Sequence, residues 1–522
     1  MKSVLLLLLA ICLLFSLLLL SPSKKANLSE VETTINQTKL AAIPVAQSKY
    51  TFPSRVQKLL KKNEVVGDRL ADIKAGKATV EEALHGEKQH TDEIDKPPMA
   101  IDEIIDFFNN YLHELHQVQI QNKFAKFWDI WEAFHDYTVK TLYPWDREYL
   151  QRMPVRRLDD SVFLSIASYR DENCFNTITG AYAKAKNPEK LFIGLAQQNC
   201  VKKCRSGIFR NGTMVDVAPD QDCHKAFCES DLGREHCLAG RVRALHMDEN
   251  ESLGPYAARY FASKLWYGEQ WYMQIDAHMF FRQDWDAISI EMLKNAPSKK
   301  PVLSHYPPYD SFDFVKQGPT TPGERLCGPI FADSELEGQI IRLEGAGFDR
   351  KVLNTPRFAP FIAGGYFVSH SDFLREVPFD PFLPWIFMGE EILMSTRFWT
   401  SGYDIFSPST NVVSHIYVRR EKPKFWESVR RVYTFSVGDP LSLLVLNRVK
   451  YLLGYPETAK DMVWPKSVLT AVEQYAMGNE RSLEDYLSIV GLDMKKKEVI
   501  PTNWCETGQP PKGFEQYAHL YQ

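Results

Sequence analysis

The triplet Asp276-Ala277-His278 places a carboxylate and an imidazole two residues apart, directly after the apolar run Trp271-Tyr-Met-Gln-Ile275. In an extended backbone, residues i and i+2 project to the same side, so both groups can be aimed at one point. A carboxylate with an imidazole suits a borderline divalent cation such as Mn²⁺, with diphosphate oxygens completing the shell. A cation in that position would stabilise charge developing on a departing diphosphate. Spacing alone is not specific, and a strand end capped by two polar residues would look the same. The chain carries a second such triplet, Asp222-Cys223-His224, inside a cysteine-rich stretch. Position separates the two, because only the first follows a buried strand whose end faces a ligand crevice.

Downstream lie Phe361-Ile-Ala-Gly-Gly-Tyr-Phe-Val-Ser-His-Ser-Asp372 and Phe379-Asp-Pro-Phe-Leu-Pro-Trp-Ile-Phe-Met-Gly-Glu-Glu391. The pair Gly364-Gly365 permits close backbone approach to a ligand. Glu390 and Glu391 open a helical stretch, where the helix dipole favours negative charge, so one of them is equally explained as a helix stabiliser. Their side chains diverge by about 100° around a helix, and Glu390 is the preferred acid of the two. His415 ends the next strand-like stretch and is one histidine among 13.

These residues need a scaffold, and the pattern supplies one. Ser161–Ser168, Leu191–Leu195, Arg241–His246, Trp271–Ile275 and Lys300–Tyr306 read as short buried strands. Helical segments alternate with them over Glu172–Lys186, Pro255–Trp266 and the amphipathic stretch Trp285–Asn295. Such alternation predicts an open α/β sheet with helices on both faces, binding its ligand beyond the carboxyl ends of the strands. The expected organisation is a signal-anchor over 1–22, a stem over 23–100, a helical lead-in over 101–157, a catalytic domain over 158–420 and a mostly helical extension over 421–522.

Composition sets the class and compartment. The chain has 522 residues, 44% of them hydrophobic, and a net charge of −4 from 62 basic and 66 acidic side chains. That balance lacks the basic face that general nucleic-acid binding requires. The apolar run Val4–Leu20 is at the lower limit for a membrane-spanning helix and ends in four leucines without a small-residue cleavage pattern, so an anchor is favoured over a cleaved signal. Eight of the nine cysteines lie beyond it, together with sequons at Asn27, Asn36, Asn211 and Asn250. An even cysteine count behind an apolar N-terminus predicts disulfides in an oxidising lumen. Zinc held by the Cys200–Cys237 stretch, with His224 and His236, is the lesser alternative.

Taken in order, Ser165-Ile-Ala-Ser-Tyr-Arg-Asp171, Asp276-Ala-His278, Gly364-Gly365, Gly389-Glu-Glu391 and Ser414-His415 resemble the polypeptide N-acetylglucosaminyltransferases of glycosyltransferase family 60, over residues 160 to 420. That family includes hydroxyproline-directed enzymes of the cytoplasm and mucin-type enzymes of trypanosomatid Golgi membranes. The resemblance implies a GT-A nucleotide-sugar-binding fold and transfer from UDP-GlcNAc that keeps the anomeric configuration. Carried over, Ser168, Tyr169 and Arg170 would contact the donor nucleotide, and the Arg170 fork would suit the diphosphate. Asp276, His278 and His415 would hold Mn²⁺ (or Mg²⁺). Gly364 and Gly365 would line the sugar pocket, and Glu390 or Glu391 would act at the acceptor or the moving sugar. The anchor points to a type II Golgi membrane protein and a Ser/Thr hydroxyl of a secretory protein as acceptor.

Three rivals share parts of this pattern. A transferase that extends an existing glycan, or uses another UDP-sugar, would need the same donor machinery. A luminal metal hydrolase can be built on the same three ligands with an open position. A silent sugar- or nucleotide-binding protein would not need the full Asp276, His278, His415 and Glu390 set.

Overall fold

The apolar run Ser161–Ser168 forms strand β1 (Val162–Tyr169), buried almost throughout, as expected of a strand covered on both faces. β2 (Leu191–Asn199) follows, then β3 (Cys204–Arg205) and β4 (Asp216–Val217), which make a two-residue ribbon in the cysteine-rich segment. Next come β5 (Val242–Asp248), β6 (Trp271–Asp276), β7 (Met279–Phe281) and β8 (Pro301–Ser304). β9 (Leu326–Phe331) and β10 (Ile341–Gly345) pair with each other. β11 (Arg357–Phe358), β12 (Tyr366–His370), β13 (Asp404–Ser407) and β14 (Val413–His415) complete the set around the crevice. This computed structural model describes residues 96–521 except 123–125, 208–213, 318–320, 333–337, 346–354, 420–421, 428–434, 460 and 464. The Val4–Leu20 run, the stem up to residue 95 and Asn211 lie outside the described residues. Among those described, no helix is long and apolar enough to cross a membrane.

Eight strands form one sheet in the order β11-β13-β8-β12-β6-β1-β2-β5. β5, β2, β1 and β6 run parallel, whereas β12 is antiparallel to both β6 and β8. β13 is parallel to β8, and β11 runs antiparallel at the edge. The mixed α/β sheet matches the expectation, but β12 does not follow from simple alternation. Its residues come straight after the Gly-Gly pair and turn back beside β6 without needing a crossover helix.

The β1-to-β2 connection, through the helix Cys174–Lys184, and the β5-to-β6 connection, through Pro255–Ser263, traverse the sheet in opposite directions. Right-handed crossovers therefore put these helices on opposite faces. Every residue from Tyr256 to Ser263 is buried. The close approach needs Gly194 of β2, where a Cβ would meet the Phe163 ring and come 3.0 Å from the Ala262 carbonyl.

Residues Asp95–Gln522 form one unit. The lead-in helices dock through Asp146, which is fully buried and accepts from Lys264 (2.6 Å), Tyr260 (2.7 Å) and Tyr475 (2.9 Å). The C-terminal region is less helical than expected. Its helices Phe435–Leu452 and Leu483–Val490 alternate with one-turn helices and the short ribbon of β15 (Leu492–Asp493) and β16 (Glu498–Val499). It serves as a cover: Trp504 and Tyr521 pack their rings on Phe358 of β11.

All eight described cysteines are paired, as Cys174–Cys223, Cys200–Cys204, Cys228–Cys237 and Cys327–Cys505. Paired sulfurs are not thiolates, so the zinc alternative loses its cysteine ligands.

Arg448 and Asp380 are both fully buried, joined by contacts of 2.7 and 3.2 Å, and Arg448 also donates to the Val468 and Thr470 carbonyls. Removing one partner of a buried pair strands the other charge, at about 3–5 kcal/mol. Arg448→Met is expected to lower stability by that amount, measured as a reduced midpoint in urea unfolding.

Candidate active site

β6 ends at Asp276 and β7 starts at Met279, so Ala277 and His278 form the corner between them. β14 pairs antiparallel with β7, setting His415 opposite Met279, and the Ile416 N–H donates to the His278 carbonyl at 3.1 Å. That two-strand ribbon closes a gap of 139 residues in sequence. One ligand atom from each of Asp276, His278 and His415 lies within 4.8 Å of the others. His415 Nε2 is 3.2 Å from Asp276 Oδ2, close to the edge of about 3 Å of an octahedral shell.

His278 Nδ1 lies 2.6 Å from Asp171 Oδ2, and Asp171 also accepts from Arg419 at 2.9 Å. An imidazole that donates one ring N–H to a carboxylate presents its other nitrogen as a lone pair, the usual support behind a metal-binding histidine. Burial alone would raise the Asp276 carboxyl, but the His415 hydrogen bond and the Arg259 charge outweigh it and hold the group well below the usual carboxylate range. One anionic oxygen donor and two imidazoles, with positions left for an external ligand, fit a borderline divalent cation.

The helix Glu390–Thr400 starts after Gly389, whose φ of 95° lies in the left-handed region. A Cβ at Gly389 would also come 2.9 Å from Leu446. Glu390 is ion-paired with Arg259 Nη1, and Arg259 Nη2 holds Asp276 Oδ1 at 2.9 Å. Burial raises the Glu390 carboxyl above the ordinary range even though Arg259 opposes the shift. Glu391 accepts from the Gly364 N–H at 2.8 Å and from the Tyr306 hydroxyl at 2.8 Å. Burial pushes its carboxyl up to about 7 against both of those donors.

Gly364 and Gly365 serve these side chains directly. A Cβ on Gly364 would lie 3.0 Å from Arg259 Nη1, and one on Gly365 would lie 2.8 Å from Asp276 Oδ2. Neither has a positive φ, so the requirement is space rather than backbone conformation. The volume expected to admit a sugar is, at Cβ range, taken by the guanidinium and the carboxylate.

The β1 end differs from the expectation in one respect. Arg170 is fully buried, with its guanidinium held by Asp220 (2.7 and 3.3 Å) and Glu249 (3.0 Å). It therefore does not offer a free fork to a diphosphate. Its φ of 46° is sparsely populated for a non-glycine residue, and the two carboxylates hold it there. Ser168 is buried, and its Oγ has no hydrogen-bond partner among the described residues. Tyr169 is half-buried, its hydroxyl 3.5 Å from Glu249 and its carbonyl accepting from Arg419.

Sequence reasoning missed Arg259 and Tyr306 and gave Asp171 no role. An arginine inside a helix that is otherwise apolar or small was the only available signal for the first. Asp171 bonds the Asn173 N–H at 2.9 Å and reads as an ordinary turn residue. Tyr306 lies two residues beyond the end of β8, at the close of the expected Lys300–Tyr306 strand, with nothing to distinguish it.

Glu391 yields a pH test. A carboxyl with a raised folded value binds its proton more tightly when folded, so its stabilising effect is complete below about pH 4.5 and is lost as pH climbs to about 7. The difference is on the order of 3 kcal/mol. Glu391→Gln should flatten that part of the stability profile, measured by denaturant midpoints at pH 4.5, 6 and 8 against the parent chain.

The Glycosyltransferase (GlcNAc) family model matches residues 161–496. No curated protein matches the chain. Among solved structures it is similar to GalNAc-T7 with UDP, GalNAc and Mn²⁺, at 16% identity and a TM-score of 0.38, over 63% of this chain. The chain spans only 57% of the length of that protein. It is also similar to S. aureus TarS 1–349 in complex with UDP-GlcNAc, at 12% identity and a TM-score of 0.30, over 61% of this chain and 84% of that one. Because the family match covers well over half of the sequence and includes the crevice, its strands and both glutamates, this chain belongs to the Glycosyltransferase (GlcNAc) family.

Proposed function

We propose that this chain transfers N-acetylglucosamine from UDP-GlcNAc to a Ser/Thr or hydroxyproline hydroxyl of a protein acceptor, with retention at the anomeric carbon. Supporting the reading is the convergence of Asp276, His278 and His415 at the crevice mouth of a glycosyltransferase-family chain. Mn²⁺ (or Mg²⁺) bound there would stabilise the charge that builds on the leaving diphosphate. Asp171 orients His278, and Arg259 holds both Asp276 and Glu390 in place. Glu390 sits beside Gly364, positioned to meet the acceptor or the moving sugar, while Glu391 fixes the Gly364 backbone. With Arg170 engaged elsewhere, we place the donor nucleotide against Tyr169 and Ser168 instead. The four disulfides favour an oxidising compartment, in keeping with a luminal catalytic domain on a type II Golgi anchor.

A panel of UDP-sugars offered with Thr-rich and hydroxyproline peptides, followed by linkage analysis, tests the proposal. An α-linked GlcNAc on a peptide hydroxyl is the expected product; transfer only to free glycans would move the chain to a different acceptor class. Asp276→Ala should abolish metal-stimulated transfer with the fold retained by circular dichroism, and normal activity in that variant would remove the metal assignment. Glu390→Gln should lower kcat by about a hundredfold with little change in donor affinity, on the scale of one lost electrostatic contact to the transition state. Full turnover would shift the role away from Glu390.

A further inference from the structure

The second Asp-x-His triplet, unused by the transfer chemistry, repeats the construction of the first. Asp276-Ala-His278 is joined by His415 from a neighbouring strand, and Asp222-Cys-His224 is joined by His246 of β5. We propose that Asp222, His224 and His246 form a second transition-metal site, for a Zn²⁺-class cation, at the carboxyl edge of β2 and β5. This does not depend on the proposed transfer activity.

Three observations carry it. First, one ligand atom from each of the three side chains lies within 4.8 Å of the others. His246 Nε2 is 3.5 Å from Asp222 Oδ1, against an edge of about 3.4 Å for a tetrahedral shell with bonds of 2.0–2.1 Å. The two imidazole centroids are 5.3 Å apart. Second, the triplet is held rigidly. Gln197, buried in β2, accepts from the Cys223 and His224 N–H groups at 2.9 and 3.2 Å and donates to Asp222 Oδ1 at 3.0 Å. Gln197 stands beside His246 in the β2–β5 register, and Cys223 is tied by its disulfide to Cys174. Third, the site can be reached, since the side chains of His246 and Asp222 are 46% and 41% exposed.

Asp222 Oδ1 caps the following helix, while Oδ2 accepts no hydrogen bond among the described residues. Two imidazoles and one carboxylate, without a phosphate ligand, select Zn²⁺ or Cu²⁺ over Mg²⁺ or Mn²⁺. The neighbouring trio His224, Cys228 and Cys237 is not a rival, because both sulfurs are in a disulfide. β1 and β2 separate β5 from β6, a strand spacing that sums to about 14 Å, so the two sites are distinct. A cation here would fasten the cysteine-rich segment to the edge of the sheet.

The test is equilibrium dialysis of the untagged full chain against Zn²⁺, with bound metal measured by atomic emission. The parent chain, Asp276→Ala, and Asp276→Ala combined with His246→Ala are compared. Two equivalents, one and none are expected, with circular dichroism unchanged by the exposed His246→Ala substitution. If Asp276→Ala binds none, or if the double variant keeps its equivalent, the second site does not exist. If the parent and Asp276→Ala both bind one and the double variant none, the second site stands and the metal assignment at Asp276 fails instead.

Discussion

A single guanidinium holds the crevice together. Arg259 reaches from the Pro255–Ser263 helix to two carboxylates that come from different elements, Asp276 at the end of β6 and Glu390 at the start of a helix. A buried and a half-buried carboxylate this close would repel, and one would take up a proton, unless a cation lay between them. Arginine is suited to that post because its planar fork stays charged and can bond two acceptors in fixed directions. The helix that carries it is buried all round, so the guanidinium has no solvent to turn towards. Its position, in turn, fixes where the two carboxylates can stand.

Several features that look independent follow from this arrangement. Gly364 is small because a Cβ there would come 3.0 Å from the Arg259 guanidinium, and Gly365 because one would come 2.8 Å from the Asp276 carboxylate. The antiparallel strand β12 starts directly after that pair and runs beside β6, so the glycines are drawn against the site by sheet register. Gln274, one turn of the pleat before Asp276, donates to the Gly364 carbonyl at 2.7 Å and locks the corner. Glu391 takes the Gly364 N–H, so the two glutamates close on the same glycine from different sides. At the other end of the crevice, Arg170 is tied to Asp220 and Glu249, and Lys422 adds a contact to Asp220 at 2.8 Å. Charge there is satisfied internally and braces that end of the crevice rather than awaiting a ligand.

Much of the scaffold was legible because its signals are local. Buried parallel strands read as unbroken apolar runs, and their helices carry a 3.6-residue period, so the β1, β2, β5 and β6 segments and the Trp285–Asn295 helix could be recognised directly. β12 escaped notice because its five residues directly follow Gly364-Gly365, a pair that marks a turn, and antiparallel pairing with β6 is a long-range choice. The even cysteine count indicated disulfides, but the pairing, with one bond spanning 178 residues, depended on chain geometry. Arg170 misled for a related reason: a fork-shaped cation at a strand end suits a diphosphate and an internal carboxylate equally well, and nothing nearby in sequence marks Asp220 and Glu249 as its partners.

By itself the sequence determined the residue types available for chemistry, the α/β alternation, and the placing of Asp276 and His278 together at the end of a strand. Those properties are set by neighbours within a few positions, through backbone sterics and side-chain periodicity. Only the tertiary structure decided that His415 joins them, that Arg259 lies between Asp276 and Glu390, and that the second Asp-x-His triplet meets a histidine of its own. Each of these is a contact between segments far apart in the chain. Such contacts arise from strand register and helix docking, which depend on the whole packed core and on no single stretch of it.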